Sequence, residues 1–305
     1  MIASTNSTSS FFERSLEQLT GLRNSAERLQ SQIATGARLE HGSDDPVASS
    51  RLRVLARQDR LAEISEINAN SASLNLDTAS AALSDMTDLL IRARELAVQA
   101  GSDTNGAAAR EAIAVEIDEL RQQLFDSANL TDSAGRPLFG GLSPSPAYVA
   151  DGSGTVSYNG SGTVDTVEIG LGVSVERGLT GPNVFSFDNA GTPTDVFAFL
   201  AAFSADLRGS AADPAAAARD ALTGFGDAIE NVSRSQTVLG ARLAWIDTVQ
   251  FGALARDETR ASEQSELGDV DLAEAITQLQ QTLTVVEASQ ASFSRLTSLS
   301  LFDAI

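Results

Sequence analysis

The chain has no cysteine. That excludes a disulfide framework, thiolate zinc sites and thiol catalysis, and it suits a protein that crosses between redox compartments. Lysine is absent too, so all 21 basic residues are arginine. There is one histidine, His41. Aromatic residues make up 5% of the 305 positions, so the sequence predicts cores of Leu, Ile, Val and Ala, which suit long thin helical bundles. The net charge is −20. No basic footprint for nucleic acid exists at that balance, and an anionic membrane surface would repel the chain. No apolar run reaches the roughly 18 residues of a membrane-spanning helix, so no membrane insertion is expected. Residues 1–10 are rich in Ser, Thr and Asn. They lack the basic-then-apolar order of a Sec-type signal, so the chain is expected to stay in the cytoplasm or to leave by another route.

What is present is apolar periodicity. Phe12, Leu16, Leu19, Leu22, Ala26, Leu29 and Ile33 recur at steps of three and four, which predicts a helix stopped by Gly36. A polar loop follows over 37–45, where Asp45 suits an N-cap and Pro46 the first helical position. A helical pattern then runs to about Ala100, far beyond the roughly 11–12 residues of an average globular helix, and another covers 107–127. Asp213 and Pro214 open a further long helix, expected to reach about Glu263. At the far end Leu272, Ile276, Leu279, Leu283, Val286 and Phe293 form a coiled-coil stripe, which continues towards Leu299, Leu301 and Phe302. The two terminal stripes predict one split structure. A pair of thin helices cannot bury all of this apolar surface alone, so these residues are the candidate assembly interface.

The middle differs. Residues 135–191 hold 12 of the 23 glycines. Val167, Ile169, Leu171, Val173 and Val175 alternate with Glu, Gly and Ser, which predicts a half-buried strand. Further strands are expected at 155–158 and 184–187, and a helix at 195–207. The predicted fold is mainly α with a β-rich insert: a long antiparallel helical bundle or coiled coil formed by N- and C-terminal segments, with a small β domain between them. The expected division is 1–42 with 265–305 as a terminal helical domain, 43–134 with 212–264 as a long bundle, and 135–211 as the insert.

Catalytic readings find little support. His41 beside Asp44 and Asp45 offers too few ligands for a metal, and capping explains Asp45. A Ser/His/Asp triad would also depend on His41, and no nucleophile elbow occurs. Asp269 and Asp271 sit at a helix start, where negative charge is favoured. The Gly-Ser-Gly stretches at 152–154 and 160–162 lack the lysine and the strand–loop–helix context of a phosphate loop and read as hairpin turns. Asn129, Asn159 and Asn231 match a glycosylation pattern common by chance. The arginine-rich face at 51–60 reads as a solvated surface or a subunit contact. No enzyme activity, cofactor or metal is expected.

Residues 33–39 (Ile-Ala-Thr-Gly-Ala-Arg-Leu) and 43–49 (Ser-Asp-Asp-Pro-Val-Ala-Ser) resemble the N-terminal block of the bacterial flagellin superfamily. Residues 130–141, ending Pro-Leu-Phe-Gly-Gly, resemble the turn where that family's helices give way to its variable outer domain. Residues 269–276 and the tail Ser300-Leu301-Phe302-Asp303 resemble its C-terminal block. Together the blocks span about 200 of 305 residues. Asp44-Asp45-Pro46 and the tail are similar to the hook-associated branch rather than to filament flagellin. The resemblance implies a non-enzymatic adaptor at the hook–filament junction, outside the cell, exported unfolded by the flagellar type III route without a cleaved signal. Its implied partners are further copies of itself in a ring, a hook-associated protein on the hook side, flagellin on the filament side and a cytoplasmic export chaperone on the C-terminal helix. The alternatives are a filament flagellin, and an enzyme or ligand-binding protein with its site in the insert.

Overall fold

The computed structural model describes residues 3–170 and 172–302, with side chains described for residue 10 and for residues 13–170 and 172–295. Four long helices dominate: α1 (Ala3–Thr35), α2 (Pro46–Ala100), α6 (Pro214–Gly268) and α7 (Leu272–Phe302). Between α2 and α6 lie α3 (Ala107–Ala128), strands β1 (Tyr148–Ala150), β2 (Val156–Tyr158), β3 (Thr166–Gly170) and β4 (Val173–Glu176), the short helix α4 (Gly181–Phe185), β5 (Ser186–Asn189), β6 (Thr192–Asp195) and α5 (Val196–Ala205), which runs into a π turn at Asp206–Ser210.

The helix starts are set by aspartates. Asp45 accepts the N–H of Ala48, Asp195 those of Phe197 and Ala198, Asp213 those of Ala215 and Ala216, and Asp271 those of Ala273 and Glu274. Each satisfies donors that a helix N-terminus leaves open. Asp269 has a different role and accepts the Ser265 hydroxyl at 2.5 Å.

Several local expectations need correction. The alternating run at 167–175 is a hairpin rather than one strand, because the chain reverses between Gly170 and Val173, with Gly172 at φ +73°. Alternation alone cannot distinguish one strand from two that share an inward face. Residues 184–187 are split between the end of α4 and the start of β5, since Pro182 sits in the first turn of a helix. α6 continues past Glu263 to Gly268. The six strands form three separate antiparallel hairpins.

The chain divides into two compact units: residues 1–60 with 255–305, and residues 61–254. In the central unit α2, α3, α5 and α6 enclose a core of Leu83, Met86, Leu90, Ile117, Leu124 and Val232. The scarce aromatics gather there, against the expectation of an aliphatic core. Tyr148 lies with Phe185 at 5.3 Å and Phe197 at 4.9 Å between ring centroids, and Phe225 meets Phe199 at 5.0 Å and Phe203 at 5.4 Å. Low abundance therefore did not imply dispersal, because large rings fill the space under short hairpins that aliphatic side chains leave open. Burial pushes the Tyr148 phenol well above its ordinary pKa.

Two local devices hold the hairpin region in place. The Asn129 amide, just after α3, accepts the N–H of Tyr148 at 2.9 Å and donates to its carbonyl at 3.1 Å, like one more strand residue. Gly141 holds φ +63°, and a Cβ there would stand 2.5 Å from the Thr163 carbonyl oxygen. The Gly-Gly of the 130–141 turn is thus a requirement of close backbone packing.

Candidate assembly surface

In the terminal unit the loop after α1 is stitched to the break between α6 and α7. Gly36 ends α1 at φ +73°. Beyond it the Arg38 N–H donates to the Gly268 carbonyl at 2.7 Å, and the Val270 N–H donates to that of Gly36 at 2.9 Å. The Arg38 guanidinium places Nε and Nη2 on the Leu267 carbonyl at 3.1 and 2.7 Å. It covers a backbone acceptor that the end of α6 leaves open, where the helix dipole also favours a cation. Gln32 donates back to the Arg38 carbonyl at 2.7 Å.

The same loop fixes the surroundings of the only histidine. Asp44 accepts the backbone N–H groups of His41 and Glu40, and these bonds, that of His41 foremost, hold its carboxyl below the ordinary range. The two residues therefore form a turn. Among the described residues no group of three or more His, Cys, Asp or Glu is placed to hold a metal ion.

From this clasp α1 and α7 run antiparallel. Their inward stripe contains Leu19, Leu22, Leu29, Ile33, Leu279 and Phe293, all half-buried, with Ala26, Ala275 and Val286 buried. Other members of the predicted interface stay out of this seam: Leu16 is 52% exposed, Leu272 50%, Ile276 44% and Leu283 46%. Phe12, Leu299, Leu301 and Phe302 lie outside the residues whose side chains are described. Val285, exposed beside Leu283, was not singled out by the heptad pattern. It lines an open groove of about 820 Å³ between the two helices, together with Ser15, Leu19, Leu22, Ser289 and Phe293. A seven-residue spacing marks which residues lie on a stripe. It does not say how much of a wide stripe one partner helix can cover.

The α2 and α6 segments of this unit meet through charge. Arg51 forms a bidentate pair with Glu263 at 2.5 and 2.7 Å, and Arg260 pairs with Asp59 at 2.8 Å, with Gln264 on the same carboxylate. Side-chain hydrogen bonds from Arg260 and Gln264 hold Asp59 below its ordinary pKa, and Arg51 does the same for Glu263. Leu55 is the fully buried apolar residue beside these pairs.

Residues 4–143 match the family model of the bacterial flagellin N-terminal helical region. Along the whole chain, hook-associated protein 3 of Escherichia coli (strain K12) is 27% identical, with 97% of this chain and 98% of the relative aligned. The chain is thus similar along its whole length to the hook-associated branch of the bacterial flagellin superfamily. A member of this branch is an extracellular component of the flagellum. Flagellin A of Vibrio cholerae is 33% identical, but only over 45% of this chain and 35% of its own length. The fold agrees with the solved structure of a putative flagellar hook-associated protein from Vibrio parahaemolyticus, at TM-score 0.68 and 21% identity, over 74% of this chain and 100% of that one. The superfamily resemblance of the 33–49 and 130–141 blocks thus acquires a structural meaning: the first forms the Arg38 clasp, and the second the turn against Thr163 and Tyr158.

Proposed function

We propose that this chain is a structural, non-enzymatic subunit that joins the flagellar hook to the filament. The observation that carries this reading is the end-to-end alignment with a hook-associated protein over 97% of the chain, whereas the alignment with flagellin A covers 45% of it. The exposed Leu16, Leu272, Ile276 and Leu283 support self-assembly through the terminal helices. Apolar surface contributes roughly 25 cal/mol for each Å² removed from water, and neighbouring copies are the natural cover for a helix pair left half open.

In this reading the chain leaves the cell unfolded by the flagellar export route. A cytoplasmic chaperone covers the C-terminal helix before export, and the same face meets neighbouring copies afterwards. Flagellin adjoins the ring on one side and a hook-associated protein on the other. Deletion of the gene in the bacterium that encodes it tests the reading. The expected result is hooks without filaments and flagellin released to the medium, with filaments restored by the intact gene. Normal filaments on the deletion strain would overturn it.

A further inference from the structure

In a chain of net charge −20, residues 46–60 carry four arginines and one aspartate. Two of these charges are satisfied inside the subunit, Arg51 by Glu263 and Asp59 by Arg260. Arg53, Arg57 and Arg60 are different. They are spaced by four and three, so they share one face of α2, roughly opposite the face that Arg51, Leu55 and Asp59 turn towards α6. All three are exposed, and none forms an ion pair or a side-chain hydrogen bond among the described residues, although Arg60 adds a weak through-space attraction to the Asp59 carboxylate. Val54, 45% exposed, lies along the same strip.

α6 carries the opposite charge. Its Arg260, Glu263 and Gln264 reach α2, while Glu258 and Glu266 fall on the side turned away, exposed and with no ion pair among the described residues. Three more exposed carboxylates continue the acidic surface into α7, and among the described residues each meets neutral donors: Asp269 the Ser265 hydroxyl, Asp271 the N–H groups of Ala273 and Glu274, and Glu274 the Gln278 amide. The terminal unit therefore shows a basic strip on the back of one helix and an acidic strip on the back of its antiparallel partner.

We propose that the Arg53–Arg57–Arg60 strip of α2 docks on the Glu258–Glu266 side of α6 in a second copy of this chain. The inference rests on the reading of the chain as a self-assembling subunit and assigns it a contact outside the α1–α7 stripe. The occupant is chosen by charge. The two strips differ, so the contact is head-to-tail, and repetition of a head-to-tail contact closes into a ring or continues as a helix. Exposed ion pairs stabilise by at most about 1 kcal/mol each. The strip accordingly sets orientation and partner choice, while apolar contacts elsewhere supply most of the affinity.

Charge-exchange variants of the purified full-length chain test the contact by analytical ultracentrifugation. One is R53E/R57E/R60E and the other E258R/E266R, with circular dichroism to show that both retain the wild-type helix content. The wild type is expected to associate at low salt, with an association constant falling by about tenfold when salt is raised until charges are screened within a few ångströms. Each variant alone should remain monomeric. An equimolar mixture should associate again, because each then offers the other a complementary strip. R53K/R57K/R60K should behave as wild type. A mixture that stays monomeric, or an R53E/R57E/R60E chain that associates as wild type does, would overturn the proposal. Introduced into the deletion strain, each charge-exchanged gene alone should leave hooks bare; filaments formed with R53E/R57E/R60E alone would also overturn it. Failure of the junction reading looks different, as the deletion strain would carry filaments with no copy of the gene.

Discussion

In the central unit Leu83, Met86, Phe185 and Phe197 are at most 1% exposed, whereas in the terminal unit Leu272 is 50% exposed and Ile276 44%. Both units are built on long helices with apolar stripes. The central one adds α3, α5 and three hairpins, and these supply rings and aliphatic side chains on every side of its core. Among the described side chains, the terminal one buries only Ala26, Ala48, Leu55, Ala275 and Val286. It relies on the Arg38 clasp and on ion pairs that remain partly in water. A helix pair has one mutual face, so a stripe wider than that face stays open until another molecule covers it. The first unit covers its own apolar core, and the second leaves part of its stripe exposed.

The strongest way to break this contrast is to damage the central core. Phe185→Ala removes a ring that packs on Phe139, Tyr148 and Phe197 and should cost about 3–5 kcal/mol. Urea unfolding followed by the fluorescence of the single tryptophan, Trp245, will read it, since that residue lies in the central unit. A midpoint unchanged from wild type would mean that the aromatic cluster adds little.

A smaller effect is expected in the terminal unit from Arg38→Ala, which strips both guanidinium bonds from the Leu267 carbonyl. At an ion with a side chain 42% exposed, this should cost about 1–2 kcal/mol. Hydrogen exchange of the Arg38 and Val270 amides should quicken by roughly 5- to 30-fold, with the Trp245 transition unmoved. A shift of both together would join what the contrast separates.

The smallest effect is acid. Asp59 and Glu263 bind protons more weakly in the folded state than as free carboxylates. Their contribution is therefore fully present above the ordinary carboxylate range and is lost as the pH falls through about 4 and below. Asp132 and Asp213 are also lowered in the central unit, but its apolar core does not titrate. Mild acid should thus speed exchange in 46–60 and 255–268 before it moves the tryptophan signal. The reverse order would show that the terminal ion pairs contribute less than the central ones.

Much of the helical framework was legible from local chemistry. Asp45-Pro46 and Asp213-Pro214 marked helix starts, because an unpaired N-terminal donor needs a side-chain acceptor wherever the helix lies. Gly36 marked an end, because only a residue without a Cβ takes a positive φ freely. The hairpin at Thr166–Glu176 was less legible, since a period of two survives a reversal of the chain. The aromatic cluster was not legible, because Phe139, Tyr148, Phe185, Phe197 and Phe225 are far apart in sequence and meet only when α3, α5, α6 and the hairpins close on them.

By itself the sequence determined the long helices, their caps, the absence of thiol chemistry and the superfamily blocks, all of which depend on neighbours a few residues apart. Tertiary structure alone decided which apolar residues of the terminal stripes face inward. It also decided that Arg51 pairs with Glu263 while Arg53, Arg57 and Arg60 stay exposed, with no ion pair among the described residues. Burial and pairing depend on what stands opposite a side chain, and that is fixed only when segments some two hundred positions apart come together.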